Sequence, residues 1–110
     1  MVESSLKLDV IFGSLADPTR RAILKQVSVK EMSIGEIAEP YGMTFAAISK
    51  HLKILEKAEL IIKRRYGKQQ MVQLSPKAFK EANAYLKHYE KMWNDRLDSL
   101  EHYLATLPKE

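Results

Sequence analysis

The residues in this 110-residue chain that could do chemistry are cations, and they are unevenly placed. Between Thr44 and Gln70 stand Lys50, Lys53, Lys57, Lys63, Arg64, Arg65 and Lys68, against only Glu56 and Glu59. That local excess of +5 sits in a chain whose net charge is +4, so the remainder carries −1. A basic excess confined to one segment is the electrostatic footprint of a polyanion binder, with a solvated charged face as the plainer alternative. Covalent chemistry has little to work with. The absence of cysteine removes thiol nucleophiles, thiolate zinc sites, iron–sulfur clusters and disulfides together. Three histidines stand at no nucleophile–base spacing, and four glycines form no phosphate-cradling fingerprint. An enzyme is therefore not expected, and neither is a cofactor.

The elements that must position the cations follow from spacing. Leu6, Val10, Ile11 and Leu15 recur at helical intervals. Asp17-Pro18-Thr19 is a helix start, with Asp17 as N-cap and Pro18 at the first helical position, and the helix runs to about Val29. Ser33 and Glu36 make a capping box opening a short helix that Pro40-Tyr41-Gly42 breaks. Thr44 caps the next helix, which runs to about Ala58. The period then changes: Leu60–Tyr66 and Gln70–Leu74 read as strands around the Gly67-Lys68 turn. Ser75-Pro76 repeats the cap-plus-proline device and opens a helix reaching about Thr106. The expected fold is mainly α with a small β-hairpin: a winged helix-turn-helix with an extra helix at each end. Residues 1–110 read as one domain, with the helix-turn-helix over 33–58, the wing over 60–74, and dimerisation helices over 6–15 and 76–107. The composition, 45% hydrophobic and 29% charged, suits one modest core. No apolar run approaches the roughly 18 residues of a membrane span, and Met1 to Asp9 lacks a signal-peptide core, so a cytoplasmic protein with no membrane partner is expected.

Within the helix-turn-helix, Ser33–Glu39 is the supporting helix, Tyr41-Gly42-Met43 the turn and Thr44–Ala58 the recognition helix. At 100° per residue, Phe45, Ile48, Leu52 and Leu55 share the side that packs inward. Ala46, Ser49, Lys50, Lys53 and Lys57 share the opposite side. Small residues at Ala46 and Ser49 let the backbone approach base edges, Lys50 can donate to guanine acceptors or a phosphate, and Lys53 and Lys57 suit phosphates. Phe45 lies at the border, free either to pack internally or to touch a thymine methyl, and His51 is either structural or a phosphate contact. Arg64, Arg65, Lys68 and Gln69 crown the hairpin, where they could reach the DNA backbone or minor groove. Charged hairpins also protect sheet edges from pairing, and both roles can hold together.

These stretches together resemble the ArsR-type family of bacterial winged-helix repressors. The resemblance rests on Leu15-Ala16-Asp17-Pro18-Thr19-Arg20-Arg21-Ala22-Ile23-Leu24 and on the block from Ile48-Ser49-Lys50-His51-Leu52 to Leu60-Ile61. It continues through Gly67-Lys68 and a tryptophan-bearing last helix ending Arg96-Leu97-Asp98-Ser99-Leu100-Glu101. It implies a homodimeric, DNA-binding transcriptional repressor that leaves an inverted-repeat operator when an effector binds. Members sensing arsenic, cadmium or lead carry a cysteine motif in the supporting helix, where this chain has Glu36-Ile37-Ala38-Glu39. Others hold zinc or nickel through Asp and His on the last helix. There this chain offers His88, Asp95, Asp98, Glu101 and His102, of which Asp98 and His102 could share a face with a partner's ligands. The resemblance is to the metal-independent, cysteine-free branch, for which the effector is unknown and no metal is expected. Phe45 and Ala46 stand where several relatives use polar residues on bases.

The last helix carries the case for a dimer. Phe79, Leu86, Trp93, Leu100 and Leu107 recur every seven residues, Ala82 and Tyr89 extend the seam, and Leu97 with Leu104 continue it. So long an apolar stripe exceeds what a small core can cover, and a partner surface through these residues and Leu6, Val10 and Ile11 is expected. Packing within one chain is the alternative. Two other functions compete with a DNA-binding repressor: a protein-interaction module whose basic face meets an acidic partner, and a metal-responsive repressor using the Asp and His side chains of the last helix.

Overall fold

The computed structural model describes the backbone of residues 2–108 and the side chains of residues 7–108. Five α-helices and three strands follow one another: α1 Val2–Ser14, α2 Pro18–Val29, β1 Met32–Ser33, α3 Ile34–Ala38, α4 Phe45–Lys57, β2 Ile61–Tyr66, β3 Gln69–Leu74 and α5 Pro76–Thr106. The helix starts rest on side-chain caps. Asp17 accepts the Arg20 backbone N–H at 3.0 Å, with Pro18 opening α2. Ser33 and Glu36 bond reciprocally at 3.2 Å and 3.0 Å, a complete capping box on α3. Thr44 accepts the Ala47 N–H at 3.1 Å and opens α4. Each bond satisfies a donor that the first helical turn leaves without a partner.

Ser75 departs from this pattern. Its side chain makes no cap bond, and its backbone N–H instead donates to the Leu60 carbonyl at 2.9 Å. The residue is buried and tied to the foot of the wing, so α5 starts from the sheet with only Pro76 as a helix-opening device. The sheet also has a strand more than the hairpin. β1 pairs antiparallel with β3 through Met32↔Val72 and Ser33↔Met71, giving the order β1-β3-β2. The hairpin register runs from Ile61↔Leu74 at its base to Tyr66↔Gln69 at the tip, with Gly67 at φ +62 in the turn.

The core gathers Ile23, Ile37, Ile48, Leu52, Leu55, Leu60 and Val72, all without solvent exposure, and Ile11, Ala78 and Ala82 close it. Ile11 therefore belongs to the protomer's own interior and is not part of a partner surface, contrary to expectation. α1 lies against α4 and α5, which turns that side chain inward and leaves Val10 exposed. The Leu6 side chain lies outside the described residues. Beyond Ala82, every described residue of α5 is exposed. The radius of gyration is 19.9 Å and the longest dimension 72 Å, against about 13 Å expected of a compact chain this size. The second half of α5 is thus an arm without an intramolecular surface to rest on. Among the described residues no helix is long and apolar enough to cross a membrane.

Candidate nucleic-acid interface

The face is built from α4 outward. A 3₁₀ turn over Glu39–Tyr41 ends at Gly42, whose φ of +61 lets the chain reverse before Thr44. Ile48, Leu52 and Leu55 pin α4 to the core at zero exposure. The side opposite them presents Ala46, Lys50 and Lys53 to solvent, with Ser49 half-buried. His51 is mostly covered and serves as an anchor: its Nδ1 lies 3.8 Å from Asp17 Oδ2 and 3.5 Å from Arg20 Nη1.

Arg20 is the centre of that anchor. Its Nε donates to the Ser14 carbonyl at 2.7 Å and its Nη2 to the Gly13 carbonyl at 3.4 Å. One guanidinium therefore joins the end of α1, the start of α2 and the middle of α4. The bonded Arg20 N–H holds the Asp17 carboxyl below the ordinary carboxylate range; desolvation opposes it, and the guanidinium and His51 add to the lowering. Sequence reasoning took Asp17 as a cap and gave Arg20 no role. The signal was available, because Arg20 sits three residues after that cap.

The wing meets the start of α4. A cleft of about 350 Å³ is lined by Phe45, by Ser33, Ile34 and Gly35 at the start of α3, and by Arg65, Lys68, Gln69 and Gln70 of the wing. Three regions distant in sequence thus converge on one surface. Among the described residues, Lys50, Lys53, Arg64, Arg65 and Lys68 have no carboxylate within 4.0 Å, so their charge faces solvent uncompensated.

Two expected positions fall elsewhere, and Phe45 takes the exposed side of its border position. Phe45 does not join Ile48, Leu52 and Leu55 in the core; it is 63% exposed, because the first turn of α4 overhangs the body beside the wing. Lys57, in the last turn, lines a groove with Lys7, Val10 and Ala78 between α1 and α5, at the far end of α4 from the wing cleft. Lys63 folds back to Glu56 at 3.4 Å with a largely covered side chain, which ties β2 to α4. The start of α3 is the part of this surface that the sequence did not single out.

Along the arm of α5, Leu86, Tyr89, Trp93, Leu97, Leu100 and Leu104 are 44–63% exposed. Tyr85 packs between Phe12 of α1 and Tyr89, at ring-centroid distances of 6.0 Å and 5.0 Å, and so fastens α1 to the root of the arm.

A family model described as "Bacterial regulatory protein, arsR family" matches residues 17–63, from the cap of α2 into the wing. The chain is 42% identical over 57 residues to the transcriptional repressor SdpR of Bacillus subtilis, covering 52% of this chain and 63% of that protein. It is 37% identical over 68 residues to the HTH-type transcriptional regulator Rv2034 of Mycobacterium tuberculosis, covering 62% of this chain and 64% of that one. The chain thus spans just under two thirds of the length of these two relatives. The crystal structure of an ArsR family transcriptional regulator, RHA00566, superposes with a TM-score of 0.77 at 30% identity, covering 82% of this chain and 93% of that one. A Mycobacterium bovis domain solved in solution as a homodimeric winged helix-turn-helix DNA-binding domain shares the fold, with a TM-score of 0.62 at 24% identity over 78% of this chain and 82% of that one.

Proposed function

The chain belongs to the ArsR family of bacterial regulatory proteins, and from that premise we propose that it is a homodimeric, sequence-specific DNA-binding transcriptional repressor. The observation that carries the proposal is the uncompensated charge of Lys50, Lys53, Arg64, Arg65 and Lys68 on a helix and wing held outward from the core. In this account α4 enters the major groove, with Ala46 and Ser49 admitting the backbone and Lys50 reaching a base edge. Lys53 and the cations of the wing meet phosphates on either side. The phosphate contacts supply affinity and register, while the outward face of α4 supplies sequence preference.

Two copies are required. The exposed stripe of α5 supports pairing through Leu86, Tyr89, Trp93, Leu97, Leu100 and Leu104, with Val10 of α1 beside it. Most helical stability in proteins comes from packing an apolar face, and beyond Ala82 the face of α5 has nothing within its own chain to pack on. The Mycobacterium bovis domain is a homodimer of the same fold, and SdpR is a repressor. A two-fold pair would present two copies of α4 to inverted half-sites about one helical turn, roughly 34–36 Å, apart. Selection of bound duplexes from random DNA tests this. An enriched inverted repeat with that spacing is expected, and a pool without sequence preference would leave only a basic surface suited to an acidic protein partner.

A further inference from the structure

We infer that Phe45 is a specificity-determining residue of the recognition helix and reads the C5-methyl group of a thymine, an inference that rests on the DNA-binding role proposed above. Phe45 opens α4 and is 63% exposed, while Ile48, Leu52 and Leu55 on the same helix are fully covered. No packing need of the protomer explains a phenyl ring there. Among the described residues it has no aromatic partner, and it stands in a cleft whose other side is Arg65, Lys68, Gln69 and Gln70. Those wing residues suit a phosphate backbone, and the N-terminal residues of a recognition helix are the ones that reach base edges.

The choice of base follows by elimination. The major groove offers hydrogen-bond acceptors on guanine, a donor on cytosine, one of each on adenine, and an acceptor beside a methyl group on thymine. A phenyl ring cannot donate to the acceptors, and it accepts from amino groups only weakly through its face. The thymine methyl is the one apolar group displayed there, so burying the ring against it is the contact that compensates for leaving it in water beforehand. Ala46, exposed next to it, adds a second small apolar surface and no competing polar group. The first turn of α4 thus reads by shape and apolar contact, and hydrogen-bond readout begins a turn later at Lys50.

The test uses the full chain and the operator obtained by selection. Each thymine of one half-site is replaced in turn by deoxyuridine, which removes the methyl group and leaves base pairing intact. Binding is followed by fluorescence anisotropy for the wild type, Phe45→Ala and Phe45→Leu. At one thymine per half-site, uracil should weaken wild-type binding about fourfold, the effect of one methyl-sized group. Phe45→Ala should bind more weakly and show no further loss with uracil, and Phe45→Leu should keep part of the discrimination. Because the ring is exposed, both variants should retain the wild-type urea midpoint. Neutral uracil at every position, or an equal penalty in the wild type and Phe45→Ala, would overturn the inference while leaving DNA binding intact. A selection that returns no preferred site would instead remove the DNA-binding role and this inference with it.

Discussion

Lys50 and the wing cations make separable predictions, because the proposed interface sets Lys50 at base edges and the others at the backbone. Lys50→Ala should weaken operator binding by roughly 1–3 kcal/mol and relax the preference at one base position. Arg65→Ala or Lys68→Ala should weaken all duplexes about equally and reduce the slope of log K against log salt by about 1. Anisotropy titrations of three variants on operator and scrambled duplexes at several salt concentrations distinguish the two patterns, and unchanged affinities would contradict the assigned face. The cations of α4 were legible in the sequence because the opposite side of the helix is continuously apolar from Ile48 to Leu55. Ile11 was misplaced and Phe45 left open for a shared reason. A helical wheel gives the direction of a side chain but not where the neighbouring element ends. Phe45 overhangs the body, and Ile11 meets the core because α1 is covered by α4 and α5.

Among the elements, the caps at Asp17, Ser33 and Thr44 were readable because each is a local bond within one turn of chain. β1 was not readable. Two residues carry no period, and Met32–Ser33 becomes a strand only because β3 offers it an edge. The end of α4 likewise hides a strained position. The Leu60 N–H donates to the Leu55 carbonyl at 3.0 Å and the Glu59 N–H to that of Glu56 at 2.9 Å, a Schellman ending that places Glu59 at φ +60. A side chain is disfavoured there, and the pair that Glu59 makes with Lys77 is solvent-exposed and weak. Glu59→Gly should therefore raise the free energy of unfolding by about 0.5–1 kcal/mol in urea titrations, and a loss would contradict the strain.

Asp17 adds a pH dependence to the same framework. Its folded carboxyl titrates below the unfolded one, chiefly through the Arg20 N–H, so its contribution is present above the unfolded value and is lost as pH falls through the folded one. Glu36 acts in the same direction through the Ser33 N–H. Urea midpoints should fall as the pH enters the acid carboxylate range. Asp17→Asn keeps a cap but cannot ionise, and should show a shallower fall; an identical pH profile would show that the charge at Asp17 is not what stabilises α2.

The whole molecule is a small core with an uncovered helical arm, and its shape is the argument for a pair. The seven-residue spacing of α5 was plain in the sequence, but where its own core stops was not. Burial within the protomer ends at Ala82, and Phe12 of α1 still meets Tyr85 just beyond it. Trp93 is the largest exposed side chain of the seam, at 63%. Trp93→Ala should weaken self-association at least about thirtyfold, the equivalent of roughly 2 kcal/mol at an interface centre. Sedimentation equilibrium of the unliganded variant and wild type would show it, and an equally tight dimer would place the interface elsewhere.

Paired display of α4 and its wing to one duplex is most directly tested by the mass of the complex formed with a selected operator. Sedimentation equilibrium should give two chains on each duplex, with the salt-sensitive affinity of a multiply charged contact. A complex holding a single chain, or no complex at low salt, would contradict it.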